Sequence, residues 1–259
     1  GQGLFKYPPP TGFLALCSKN LTDNTNIDIR SNVRPQDNFT SKTYVGNGGT
    51  QSINIGFQPD TVLIKAPDAT STWRWYFSTF SDNVSAGASG VKYLTPINDS
   101  SLSTGSANNL YEMNSTGFGV HGTGGDTNSN GVNYISYCWK AGGRPTATNS
   151  AGAGAVPTSG SVMIDGVAST SALAGTIPAT KLTANTKAGF SIVQWEGTGA
   201  NGTVAHGLTK TPDFVVTKGH DSNLSWYGYT GGTMTADQVI AFNSTAGDFG
   251  SVGAFVESS

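Results

Sequence analysis

Residues 39–77 read FTSKTYVGNGGTQSINIGFQPDTVLIKAPDATSTWRWYF, and residues 190–229 read FSIVQWEGTGANGTVAHGLTKTPDFVVTKGHDSNLSWYGY. These are one unit written twice. Phe39 aligns with Phe190, Tyr44 with Trp195, Gly46 with Gly197 and Pro59-Asp60 with Pro212-Asp213. Lys65 then aligns with Lys218 and Trp73 with Trp226, with a two-residue insertion in the second copy. An ordered set of such unlike residue types marks an internal repeat.

Both copies share a physical grammar. An alternating strand leads into a Gly-rich turn, and a second short strand ends at Pro-Asp, which cannot continue a central ladder. An apolar run comes after it, TVLIK or FVVTK, of the kind that suits a strand buried on both faces. After a polar turn comes an aromatic strand, WRWYF or WYGY. The period of two puts Trp73, Trp75 and Phe77 on one face and Arg74 and Tyr76 on the other.

Working outward, the first copy continues through Phe118-Gly119-Val120 and closes with NYISYCWKAGG at residues 133–143. The second copy has NSTAGDFG at 243–250, matching NSTGFG at 114–119, but no counterpart of the closing aromatic-Cys strand. A missing strand leaves a sheet edge that something else must cover. Residues 144–188 open with RPTATNSAGAGAVPTSG and read as a linker, with a possible hairpin around Asp165-Gly166. Residues 1–38 form a lead-in stiffened by Pro8–Pro10. The expected architecture is therefore all-β. It has two tandem β-sandwich, jelly-roll-like domains at 39–143 and 189–259, the second incomplete at its C-terminal side. The chain opens on Gly1 without Met, which reads as a processed chain, a fragment or an excised piece.

Composition agrees. Only 12% of the residues are charged, with 35 Gly, against about 25% charged in an average chain. Such material is poor for surface helices and good for short strands and turns. The net charge of −2 and the absence of a basic run leave no nucleic-acid footprint, and no apolar stretch is long enough for a membrane helix. Cys17 and Cys138 sit in apolar contexts and read as buried free thiols.

Motifs with chemistry are weak. The GxGxxG matches at Gly117-Gly119-Gly122 and Gly197-Gly199-Gly202 precede no helix, as a dinucleotide site requires. Asp126, Asn128 and Asn130 resemble the first half of a calcium loop, but Tyr137 stands where the bidentate Glu belongs, so an Asn/Gly-rich turn is the simpler reading. His121, His206 and His220 lack zinc spacing, and no GxSxG elbow accompanies His220-Asp221. Glu112 and Glu196 are the only acids flanked by strand-like aromatics. No catalytic residue and no cofactor is expected. The stronger clue is aromatic: Trp73, Trp75, Tyr76, Trp226, Tyr227 and Tyr229 are candidates for rings that stack on sugar faces, set against the ordinary use of alternate aromatics as core.

PPPTGFLALCSKNL at the N-terminus resembles the segment that follows a SPRY-type β-sandwich in virion-associated proteins of marine phages, where it leads into a repeated β domain. The stretches at 133–143, 188–208 and 211–229 resemble further landmarks of that domain, in the same order. The resemblance implies a phage particle component, such as a tail fibre, spike or head fibre that touches the host surface. It implies a homotrimer exposed on the virion, other virion proteins as neighbours, and a host glycan or protein as ligand. The competing readings are a capsid decoration or scaffold protein without a receptor, and a secreted carbohydrate-binding module.

Overall fold

Pro59-Asp60 separates two strand runs, because proline has no N–H to give to a central ladder. The computed structural model describes residues 34–80, 91–105, 109–150, 152, 155–231, 238–243 and 249–251. The chain divides into two units, Gly1–Arg34 and Pro35–Ser259, and every strand described belongs to the second unit. Cys17 and the Pro8–Pro10 lead-in lie outside the described residues.

The first repeat carries β1 (Phe39–Val45), β2 (Thr50–Asn54), β3 (Thr61–Lys65), β4 (Arg74–Phe77) and β5 (Lys92–Tyr93). It continues with β6 (Ser103–Thr104), β7 (Leu110–Asn114), β8 (Gly117–His121) and β9 (Asn133–Trp139). One sheet has the order β1-β9-β3-β4 and a second the order β2-β8-β7, with β5 and β6 as a short pair. All these pairings are antiparallel. The two larger sheets enclose one apolar core, in which Val62, Ile64, Tyr76, Phe118, Tyr134 and Cys138 are buried. Alternation does the sorting. Along β9, Tyr134, Ser136 and Cys138 point inward while Ile135, Tyr137 and Trp139 stay half-exposed. Burying each large apolar side chain stabilises by about 1.5–3 kcal/mol.

The glycines of the first GxGxxG match serve packing. A Cβ on Gly117 would overlap the Ile53 carbonyl, and one on Gly119 would overlap the Tyr111 ring. β8 is thus a strand squeezed between β2 and β7.

The second half carries β10 (Val162–Ile164), β11 (Val167–Ala168), β12 (Ala179–Asn185) and β13 (Phe190–Trp195). It ends with β14 (Phe214–Lys218), β15 (Trp226–Thr230), β16 (Gln238–Ala241) and β17 (Phe249–Ser251). Here the sheets run β11-β10-β12-β13 and β14-β15-β16-β17. The hairpin at Asp165-Gly166 forms, with φ of 51° and 88°, the left-handed pair that a two-residue hairpin turn requires. The rest of the expected linker is corrected: β12 arises within residues 144–188 and pairs with β13, while β10 runs parallel to β12. Its buried Leu182 and Ala184 give that stretch a small core of its own.

The repeats share a third core rather than standing apart. Trp75 and Trp226 stack with ring centroids 5.4 Å apart and planes at 12°, beside buried Phe80 and Leu94. The Trp226 indole N–H donates to the Thr95 carbonyl at 3.1 Å. Lys181 Nζ donates to the Thr79 carbonyl at 2.8 Å, and Asn185 Nδ2 to Asn38 Oδ1 at 2.8 Å.

Candidate functional site

Of the six aromatic candidates, three are core. Tyr76 is wholly buried, Trp226 is 3% exposed and Tyr229 5% exposed, so the expectation of exposed rings fails for them. Tyr76 and Tyr229 are counterparts and face inward in both repeats. Burial raises the Tyr76 hydroxyl pKa far above its usual range. Trp226 is covered because the other repeat lies over it, a contact that strand alternation does not report. Trp73, Trp75 and Tyr227 are half-buried.

Trp75 belongs to a larger aromatic face. On the outer side of the β1-β9-β3-β4 sheet, the pairing sets Phe39 beside Trp139 and Leu63 between Tyr137 and Trp75. Ring centroids are 5.1 Å apart for Phe39 and Trp139, 6.5 Å for Tyr137 and Trp139, and 6.4 Å for Trp75 and Trp139. Phe190 stacks on Trp139 at 6.2 Å and 21°. Phe39 is 43% exposed, and Leu63, Tyr137 and Trp139 are half-buried. Trp75, at one end of the row, is stacked on Trp226, which leaves Phe39, Tyr137 and Trp139, held by a rigid sheet, as partly exposed rings onto which flat apolar ligand faces can stack. Sequence reasoning passed over Phe39, Tyr137, Trp139 and Phe190. The signal was present in NYISYCW, whose alternation puts Tyr137 and Trp139 on the face opposite Cys138.

The calcium-like turn is built for a different purpose. Asp126 receives both Nε and Nη2 of Arg74, and the Thr72 N–H at 2.7 Å. Asn128 is fully buried. Its amide nitrogen donates to the Gly49 and Gly122 carbonyls at 2.7 and 3.0 Å. Its oxygen accepts from Asn47 N–H and Gln51 Nε2 at 3.1 and 2.7 Å. Asn130 is exposed. Asp126 and Asn128 thus tie the turn to β4 and β2, the part that an Asn/Gly-rich turn plays here. Among the described residues, no three His, Cys, Asp or Glu side chains come together.

Other titratable groups are structural. Burial pushes the Cys138 thiol up to about 12, so it stays protonated and unreactive. Asp60 is 2% exposed. Burial raises its carboxyl pKa above the usual range, against the opposing pull of three donors: Ser78 hydroxyl and the N–H groups of Ala141 and Gly143. Glu112 accepts from Asn114 Nδ2 at 2.8 Å, and Glu196 is exposed past β13.

One family model matches this chain, and it does so twice, over residues 34–165 and 163–259; it is described as a domain of unknown function, DUF7483. No curated protein matches. No solved structure matches either.

Proposed function

We propose that this chain, which belongs to the DUF7483 family through both of its halves, is a non-enzymatic structural protein of a phage particle. It forms part of a tail fibre, spike or head fibre and attaches to the host cell surface as a homotrimer. The observation that carries the attachment role is the outer aromatic face of the β1-β9-β3-β4 sheet, with Phe39, Tyr137 and Trp139 held side by side. Rings of this kind stack on the apolar faces of sugars, and rigid aromatic contacts cost little side-chain entropy. The likeness of the N-terminal PPPTGFLALCSKNL stretch to virion-associated chains supports the particle setting.

The test has two parts. Binding to host-surface polysaccharide is measured by calorimetry for the native chain and for Trp139→Ala. The expected result is saturable binding that weakens at least tenfold in the variant, about 1.4 kcal/mol. Binding that ignores the substitution removes the aromatic face from the reading. Antibody labelling of particles in negative stain locates the chain, and a label confined to the capsid face sinks the tail-fibre role.

A capsid decoration or scaffold role is the second reading. It is favoured by the burial of Tyr76, Trp226 and Tyr229, which turns half of the expected ligand rings into internal packing.

A further inference from the structure

In the first repeat, β9 joins β1 and β3 into one sheet and is antiparallel to both. The chain leaving β9 is clamped on two sides. Lys140 N–H donates to the Asn38 carbonyl at 2.8 Å. The N–H groups of Ala141 and Gly143 donate to Asp60 Oδ2 at 2.7 and 3.2 Å, and the Ser78 hydroxyl donates to Asp60 Oδ1 at 2.8 Å.

The second repeat builds the same walls. The β14–β15 hairpin keeps the register of β3–β4, pairing Phe214 with Thr230 where the first pairs Thr61 with Phe77. Gly231 N–H donates to the Asp213 carbonyl at 2.8 Å, as Ser78 N–H does to that of Asp60 at 2.7 Å. Lys218 Nζ holds the Gly219 and Ser222 carbonyls, as Lys65 Nζ holds those of Ala66 and Ala69. Yet among the described residues β13 pairs only with β12, and β14 only with β15. Thr61 is fully buried beside β9, whereas its counterpart Phe214 is 56% exposed. Asp213 is exposed as well. At the start of both strands a cleft of about 270 Å³ opens, walled by residues 186–189 on one side and 208–213 on the other. In the first repeat the segments aligned with these walls include Asn38 and Asp60, the two residues that clamp the exit of β9.

We infer that the second repeat takes up one further extended strand between β13 and β14, of the chemistry of β9, and seats the turn after it in this cleft with backbone N–H groups on Asp213. The occupant alternates inward Tyr, Ser or Cys with outward aromatics and ends in a small-residue turn, as residues 133–143 do. The edges of β13 and β14 that are unpaired among the described residues supply the ladder hydrogen bonds, which is how strand addition gains affinity. A carboxylate that accepts backbone N–H groups fixes the register.

The probe is a labelled synthetic peptide of residues 133–143, NYISYCWKAGG, titrated into the whole chain with fluorescence anisotropy as the readout. Saturable one-to-one binding is expected, with amide-exchange protection appearing in β13 and β14. Asp213→Ala is expected to weaken binding at least tenfold, and a peptide carrying Pro in place of Ser136 to lose it. No saturable binding overturns the inference, and so does binding indifferent to both changes. A dimer of the chain that Asp213→Ala dissolves, with no uptake of peptide, assigns the edges to a second copy and also overturns it.

Discussion

Asp60 and Asp213 stand at the same point of the same repeated unit and live in opposite surroundings. The first is buried and accepts three hydrogen bonds. The second is exposed at the mouth of an open cleft. The hairpins behind them share register, lysine clamp and Pro-Asp start. What differs is one strand. With β9 in place, β3 is central and its Thr61, Val62 and Ile64 are fully buried. With no counterpart of β9 among the described residues, β14 has Phe214 exposed and its other residues half-buried. The same local grammar therefore gives a closed or an open sheet according to whether a distant segment returns to it.

That comparison can be broken first at the seam between the repeats. Trp226→Ala removes a ring stacked on Trp75 and is expected to cost about 3–5 kcal/mol in denaturant unfolding. A cost below about 1 kcal/mol would mean that the repeats do not share a core. The closing strand comes next. Ser136→Pro places a proline in the middle of β9, between β1 and β3, and is expected to destabilise the first repeat by about 3 kcal/mol or more. The readout is thermal unfolding monitored by circular dichroism.

The aspartates sharpen the comparison directly. Asp60→Ala strands buried donors and is expected to cost about 3 kcal/mol, at roughly 1–3 kcal/mol for each group left unsatisfied. Asp213→Ala is expected to stay within about 0.5 kcal/mol of the native chain, as surface changes usually do. Similar costs for the two would contradict the difference in their surroundings.

A smaller effect is the pH dependence of Asp60. Its folded pKa lies above the ordinary value of 3.8 because burial disfavours the charge. The folded state therefore holds this proton more tightly than the unfolded chain. The stability linked to it is fully present below pH 3.8 and is lost as pH rises through the raised folded value. Asp60→Asn should flatten that part of the stability curve, measured by unfolding midpoints across the acid range; an unchanged slope rules out Asp60 as its source. The smallest intervention is chemical. Iodoacetamide should modify Cys138 only as the sheet opens, since its thiol titrates only at about 12. Rapid labelling in native buffer, seen by peptide mass mapping, would place β9 outside the core.

Much of this was legible in the chain itself. Period-two alternation in WRWYF put Trp75 and Tyr76 on opposite faces, and the apolar context of Cys138 read as buried. Which face of WRWYF turns inward was not legible, and Tyr76, expected among the exposed rings, is wholly buried. The unmatched closing strand pointed to an edge in the second copy, and among the described residues β13 pairs only with β12 and β14 only with β15. Asp165-Gly166 announced its hairpin through the backbone freedom those residues allow. The aromatic candidates were less legible. Trp226 reads like Trp73 in sequence but is buried, because Trp75 and the Thr95 carbonyl of the other repeat meet it. The stretch before β13 reads as linker through its small residues, while β12 owes its place to pairing on both sides.

By itself, then, the sequence determined the all-β character, the duplication and the face on which each strand residue lies, because these depend on neighbours a few positions away. Only the tertiary structure decided which faces are covered, which aspartate is buried and how the two repeats pack on each other. Burial is set by segments far along the chain that pack there, and no local pattern encodes whether they do.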